Sequence, residues 1–282
     1  MGGGLLQLVA YGAQDVYLTG NPQITFFKAV YRRHTNFAME AIEQTFNGTP
    51  NFNQRVSCQI SRNGDLINRV YLQVSVPALT NYTYGVTSTD RYVNYLGLRL
   101  INNVSVEIGG QQIDKHYADW LYIWNELSLP LGEKFGWERM VGADGDITSS
   151  SSTNTSLSAK ANGDKTTLYV PLEFWFCRNP GLALPLIALQ YHEVKINLEF
   201  REASGVFWAY NRSSFTLPSL KAASLYVDYV YLDTDERRRF AQTSHEYLIE
   251  QLQYTGAESV NSTSNKIKLN FNHPVKELIW VV

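Results

Sequence analysis

Apolar side chains recur at every second position in several stretches of this chain, most clearly between Leu168 and Phe200. Leu168, Val170, Leu172, Phe174 and Phe176 fall at period two, which predicts an extended segment with one wholly apolar face. Asn179-Pro180-Gly181 then breaks the run. Proline fixes φ and disfavours the helical region for Asn179, while Gly181 can take positive φ, so a sharp reversal is expected. After the apolar run Leu182 to Leu189, Val194, Ile196, Leu198 and Phe200 alternate with Glu193, Lys195, Asn197 and Glu199. Such alternation belongs to an antiparallel sheet with one wet face.

Other segments repeat the pattern. Val56, Cys58 and Ile60 predict a strand ended by a tight turn at Asn63-Gly64. Val70, Leu72, Val74 and Val76 predict another, closed by Pro77. Val104, Val106 and Ile108 predict a third, with Gly109-Gly110 as its turn. Phe37 to Phe46 is extended and roughly alternating, and Ala222 to Leu232 is a further strand. The period changes after Asp114: Tyr117, Trp120, Leu121, Trp124 and Leu127 share a helical face, with Asp114 as cap and Pro130 as stop. Asn21-Pro22 opens a short amphipathic helix carrying Ile24, Phe27 and Tyr31. Asp233 and Glu236 open another, followed by Arg237, Arg238 and Arg239 in dipole-compensating order. Residues 80 to 95, 142 to 165 and 203 to 221 read as loops, the second long, serine-rich and exposed. His245 to Gln253 and Ile267, Leu269 and Phe271 resume extended spacing, and the chain stops at Trp280-Val281-Val282 in strand-like sequence. A new sheet is expected to begin there and to be incomplete.

Eight or more strands broken by turns and long loops argue an all-β class, sandwich, jelly roll or barrel, among which periodicity does not choose. The 282 residues, 44% hydrophobic and 13% aromatic, can bury a sizeable core. A formal net charge of -2 gives no global drive toward nucleic acid or anionic lipid. Cys58 and Cys177 lie far apart, show no metal-site spacing and read as free thiols in a reducing compartment. No apolar stretch reaches the ~18 residues of a spanning helix. The Gly2 myristoylation pattern fails at Leu6, where Ser or Thr is required.

Catalytic signatures are missing. There is no G-x-S-x-G elbow, phosphate-binding glycine loop or H-E-x-x-H, and the five histidines are scattered singly. His192-Glu193 and His116 with Asp119 come nearest to metal spacing, but read better as edge or cap residues than as ligands. Asp144 and Asp146 lack the other oxygen donors of a calcium loop. Arg32-Arg33-His34 and the 237–239 arginines could meet phosphate; solvated helix ends or ion pairs explain them more simply. Six N-x-[ST] sequons occur, of which Asn81, Asn154 and Asn211 fall in predicted loops and are the sterically open candidates for glycosylation. No metal or cofactor is expected.

Several long motifs resemble one family. They are Leu5-Leu6-Gln7-Leu8-Val9-Ala10-Tyr11-Gly12-Ala13-Gln14-Asp15, Gly20-Asn21-Pro22-Gln23-Ile24-Thr25-Phe26-Phe27-Lys28, Ile60-Ser61-Arg62-Asn63-Gly64-Asp65 and Asn179-Pro180-Gly181-Leu182-Ala183-Leu184-Pro185 running on to Val194. They are similar to the major capsid proteins of nucleocytoplasmic large DNA viruses, chlorella-virus branch. The resemblance implies a tandem double jelly roll. Residues 1–36 would form an arm and short helix, 37–234 the first jelly-roll domain, 235–244 a linker helix and 245–282 the start of an incomplete second jelly roll. It also implies a non-enzymatic virion protein, assembled in the host cytoplasm as a homotrimeric, pseudo-hexagonal capsomer. Its contacts would be neighbouring capsomers and minor capsid proteins, near an internal viral membrane and with no direct nucleic acid. The arm, including Leu5, Leu6, Leu8, Tyr11, Phe26 and Phe27, would lie on the inner face. Two other readings stand beside this: a lectin-like jelly roll using Tyr82, Tyr84, Trp208 and Tyr210, and a cupin-like metalloenzyme, which the missing histidine cluster disfavours.

Overall fold

A computed structural model describes residues 34–77, 91–143, 166–208, 219–260 and 262–281. The long strands are β1 (Phe37–Thr45), β2 (Arg55–Gln59), β3 (Leu66–Val76), β5 (Ile101–Ile108), β6 (Gln111–Tyr117), β7 (Thr166–Pro171), β9 (Val194–Phe200) and β11 (Ala222–Leu232). Two-residue strands β4 (Arg91–Tyr92), β8 (Leu184–Pro185) and β10 (Phe207–Trp208) complete the set. Sheet I has the order β1-β11-β3-β7, with β8 against the start of β3, and sheet II has the order β2-β9-β5-β6; β4 pairs with β10. All pairings are antiparallel. Apart from the β5–β6 pair, neighbours within a sheet are far apart in sequence, the crossing connectivity of a jelly roll.

The core lies between the sheets. Val56 and Cys58, Val104 and Val106, and Val194, Ile196, Leu198 and Phe200 face it from sheet II. Leu72, Val74, Leu168, Val170, Leu225 and Val227 face it from sheet I. In β9 the predicted alternation holds residue by residue, buried at Val194 and every second position to Phe200. β3 keeps its inward face through an irregularity: Val227 pairs with Val70 but Tyr229 with Ile67, so an extra residue is inserted opposite Asp228. That bulge shifts parity and lets Ile67 and Val70 both point inward.

Gly109-Gly110 makes the predicted two-residue hairpin. Ile108 pairs with Gln111, and the glycines take φ of 60° and 85°, the twist a two-residue turn requires. Asn63-Gly64 does not make a hairpin. β2 and β3 belong to different sheets, and the segment between them passes beneath the fully buried Tyr229. A Cβ on Gly64 would stand 2.8 Å from the Tyr229 Cβ, so the glycine is required by close approach rather than by a turn.

The expected strand through Phe176 ends early. β7 stops at Pro171, and Trp175–Arg178 form a helical turn, α4 in chain order, in which Trp175, Phe176 and Cys177 are all buried. With core on every side, consecutive large residues satisfy a helical turn as well as a strand. Asn179 keeps the extended backbone its proline demands and caps a 3-10 turn at Pro180–Leu182 through Gly181 N, while Gly181 avoids positive φ. The corner therefore returns the chain to sheet I at β8, and it crosses to sheet II only at β9.

Helix α1 (Leu96–Leu100) packs against both α2 (Ala118–Ser128), which lies by β5 and β6, and α3 (Leu131–Val141), which lies by β7. α2 is the helix the spacing predicts, but its buried positions are Ala118, Leu121 and Asn125, and Leu127 faces solvent. Asp114 does not cap it; it lies in β6 with its side chain turned inward. α5 (Thr234–Gln242) is capped by Asp233, whose carboxylate accepts from Thr234 N at 2.8 Å. Among the described residues of 245–282 there is no strand. An extended segment needs a partner to become a ladder, and of this stretch Tyr247–Tyr254 touch the first sandwich through side chains and a single backbone N–H.

Candidate functional site

The described residues offer little for catalysis. No group of three or more His, Cys, Asp and Glu side chains among them could hold a metal. Asp119 is exposed on α2 and does not join His116. His116 is instead fully buried on β6, stacked on Phe174 at 4.7 Å, with Nε2 lying 2.8 Å from Asp114 Oδ2. His192 sits at the surface, where its carbonyl accepts from Arg62. Both cysteines are buried and free, as expected. Desolvation pushes the Cys58 thiol up to about 11 and that of Cys177 further still, so neither is a nucleophile near neutral pH.

Among the described residues, two surface hollows stand out. The larger, about 380 Å³, lies where α5 meets the sandwich and is rimmed by Arg62, Asp65 and Arg237. Its charges already have partners: Asp65 accepts from Arg237 Nε at 2.9 Å and Leu232 N at 2.8 Å, and Arg62 donates to Leu189 O and His192 O. Two of the three consecutive arginines are thus in intramolecular ion pairs, Arg237 with Asp65 and Arg238 with Asp235 at 3.9 Å. The second hollow, about 280 Å³, lies on the outer face of sheet I among Ala41, Tyr71, Tyr169, Tyr226, Asp228 and Met140. Neither has converging reactive groups.

What the surface does offer is apolar contact area. Phe37 and Met39 stand half exposed on β1, an outer strand of sheet I. At the α2–α3 junction Leu127, Leu131 (88% exposed) and Phe135 (67% exposed) face solvent together. Such groups, carried on rigid elements, are what contacts between protein surfaces are made from. Sequence reasoning missed α3 because Leu131 and Phe135 point outward and only Trp137 and Val141 are buried, leaving no apolar stripe to read.

The residues singled out from sequence as sites, Asn81, Asn154, Asn211, Leu5, Leu6, Leu8, Tyr11, Phe26 and Phe27, lie outside the described residues, as do Tyr82, Tyr84 and Tyr210. Of the other sequons, Asn47 is exposed, whereas Asn103 is half-buried and donates its amide to Glu199 Oε2 at 2.8 Å.

Comparison with known proteins follows the same line. A family model described as "Major capsid protein N-terminus" matches residues 25–233, and one described as "Large eukaryotic DNA virus major capsid protein" matches residues 236–282. The major capsid protein of Pyramimonas orientalis virus is 63% identical over 281 residues, covering 100% of this chain and 65% of that protein. That of Paramecium bursaria Chlorella virus 1 is 50% identical over 287 residues, covering 99% of this chain and 60% of that protein. The chain thus spans less than two thirds of these relatives. Among solved structures, a quasi-atomic model of the PBCV-1 virus capsid matches with TM-score 0.70 and 42% identity over 89% of this chain and 57% of that one. The Faustovirus major capsid protein, 15% identical with TM-score 0.56 over 82% of this chain and 60% of that one, shares the fold.

Proposed function

This chain belongs to the major capsid protein family of large eukaryotic DNA viruses, and from that premise we propose that it is a structural, non-enzymatic subunit of an icosahedral shell. The observation that carries the proposal is the sandwich of a five-stranded and a four-stranded sheet, in a chain 63% identical to a viral capsid protein over 281 residues. The mechanism is geometric. A close-packed interior resists deformation, so a sandwich of this kind holds its surface groups at fixed angles and repeats them identically in every copy. The half-exposed Phe37 and Met39 and the exposed Leu127, Leu131 and Phe135 are the groups available to be buried between copies. Each Å² of apolar surface removed from water contributes about 25 cal/mol, and closure of a ring multiplies a modest contact by its number of copies.

On this proposal the subunit forms homotrimeric, pseudo-hexagonal capsomers that meet neighbouring capsomers and minor capsid proteins in the virion. Assembly takes place in the host cytoplasm, near an internal membrane. The arm residues Leu5 to Tyr11 with Phe26 and Phe27 take the inner face, and Asn81, Asn154 and Asn211 are the outward glycan positions. The domain division is 1–36, 37–234, 235–244 and 245–282. The relatives described above are capsid proteins, and nothing favours the carbohydrate-binding alternative. Light scattering on the purified full-length protein, with electron microscopy of the same sample, tests the proposal. The expected result is a discrete trimer and hexagonal particles; a protein that stays monomeric at capsid-like concentration overturns it.

A further inference from the structure

β6 is an outer strand of sheet II, paired through β5 on one side only. Such an edge is normally blunted by inward charges or by a covering segment. Here both devices are present and joined. The inward positions of β6 carry Asp114 (3% exposed) and His116 (0% exposed) where other strands carry valine or leucine. Beyond α5, the segment Tyr247–Tyr254 lies along the same edge without entering the sheet.

Its contacts are specific. Tyr247 OH donates to Ala183 O at 3.1 Å, Glu250 meets Arg178 at 3.4 Å, and Gln251 Nε2 donates to the carbonyl of Ile113. The Leu252 N–H donates to Asp114 Oδ1 at 3.0 Å, and the Tyr254 ring packs on Tyr117 at 5.1 Å. The sandwich is shaped for these contacts. Val106 pairs with Asp114 and Glu107 with Gln112, so Ile113 is the extra residue of a bulge and has no partner in β5. Arg178 is held before Glu250 reaches it: its Nε donates to Glu173 O at 2.8 Å and its guanidinium lies 4.0 Å over the Trp124 ring.

Asp114 is the centre of the arrangement. Its Oδ1 accepts two backbone N–H groups, from Lys115 at 2.9 Å and from Leu252, and its Oδ2 faces His116. A carboxylate this buried is costly unless its acceptor sites are filled, so undocking Leu252 leaves it a donor short in a desolvated place. We propose that Tyr247–Tyr254 is an intramolecular latch, held by Asp114 and Arg178, that shields the sheet II edge and fixes the direction in which the chain leaves the first sandwich. Asp114 is a positioning residue in this arrangement. The latch does not depend on the capsid reading; it is a property of the single chain.

Amide hydrogen exchange on the full-length protein tests it. In the wild type the Leu252 amide is expected to exchange slowly for an extended segment outside any ladder. Asp114→Ala is expected to accelerate exchange across 247–254 at least tenfold while core amides such as Ile196 and Leu72 keep their protection. Equal protection of Leu252 in the two proteins overturns the latch. Should Asp114→Ala unfold the sandwich, Leu252→Pro decides: it removes the single donor and leaves every sandwich residue in place. Accelerated exchange and proteolysis within 247–254 support the latch, and unchanged rates overturn it.

Discussion

Gly64 and Gly136 invite the same substitution and should answer with opposite signs. Replacing glycine by alanine where φ is ordinary narrows the unfolded ensemble and stabilises by about 0.4–1 kcal/mol. Neither glycine has positive φ. At Gly136, inside α3, an added Cβ meets nothing within 4 Å, and a helix interior prefers alanine, so Gly136→Ala should stabilise by about 0.5–1 kcal/mol. At Gly64 the Cβ would lie 2.8 Å from Tyr229 Cβ and 3.1 Å from its Cδ1. Tyr229 is fully buried and cannot step aside freely, because its hydroxyl donates to Ser61 O at 2.6 Å. Overpacking costs about 1–3 kcal/mol, and a strained or lost hydroxyl bond adds about 1 kcal/mol. The steric cost outweighs the entropic gain, leaving Gly64→Ala net destabilised by about 1–3 kcal/mol. At roughly 2–4 °C per kcal/mol for a domain of this size, the two variants should melt several degrees apart on opposite sides of wild type. Differential scanning calorimetry with matched urea titrations reads both. If Gly64→Ala melts at or above the wild-type temperature, the close approach to Tyr229 is not what selects glycine there.

Two further outcomes follow from buried titratable groups. Burial raises the Glu173 carboxyl above its ordinary range, against the opposing pull of Arg178 and His116. The folded protein therefore binds more protons than the unfolded chain between the two values, and the contribution of this group to stability falls as pH rises through that interval. Glu173→Gln should flatten this part of the profile and be neutral or stabilising at pH 7, measured by urea midpoints from pH 4 to 8; an unchanged slope would count against the burial argument. Cys58 and Cys177, buried with raised thiols, should resist a thiol reagent at pH 8 in the native protein and react in full once urea unfolds it. Rapid native labelling of either would contradict the packing.

Period-two burial made the sandwich legible. β3, β5 and β9 each set one face against a core and one toward water or a neighbouring element, and their alternation is written directly in the residues. Where burial is not one-sided, the signal fails. Trp175, Phe176 and Cys177 are buried in succession, so a helical turn was indistinguishable from a continued strand. α3 turns Leu131 and Phe135 outward, so its apolar residues trace no face. Asp114 read as a helix cap from its place before α2, yet it answers to Leu252, a partner far along the chain that local pattern does not specify. The segment after α5 carries strand-like spacing without a ladder, because alternation declares a capacity to pair and cannot supply the partner.

The placement of β11 between β1 and β3 has a consequence for synthesis. Phe37 pairs with Leu232 and Thr45 with Ser224, so the earliest long strand waits for the latest one. β3 has left the ribosome by Val76, but the slot beside it stays empty until Ala222–Leu232 emerges, on the order of 10 s later at ordinary translation speeds of about 5–20 residues per second. Through that interval the nascent chain carries the apolar face of β3 and an unpaired β1 without the strand that joins them. A chaperone that recognises exposed strands would find its substrate in that window, and the closing insertion of β11 would end the encounter.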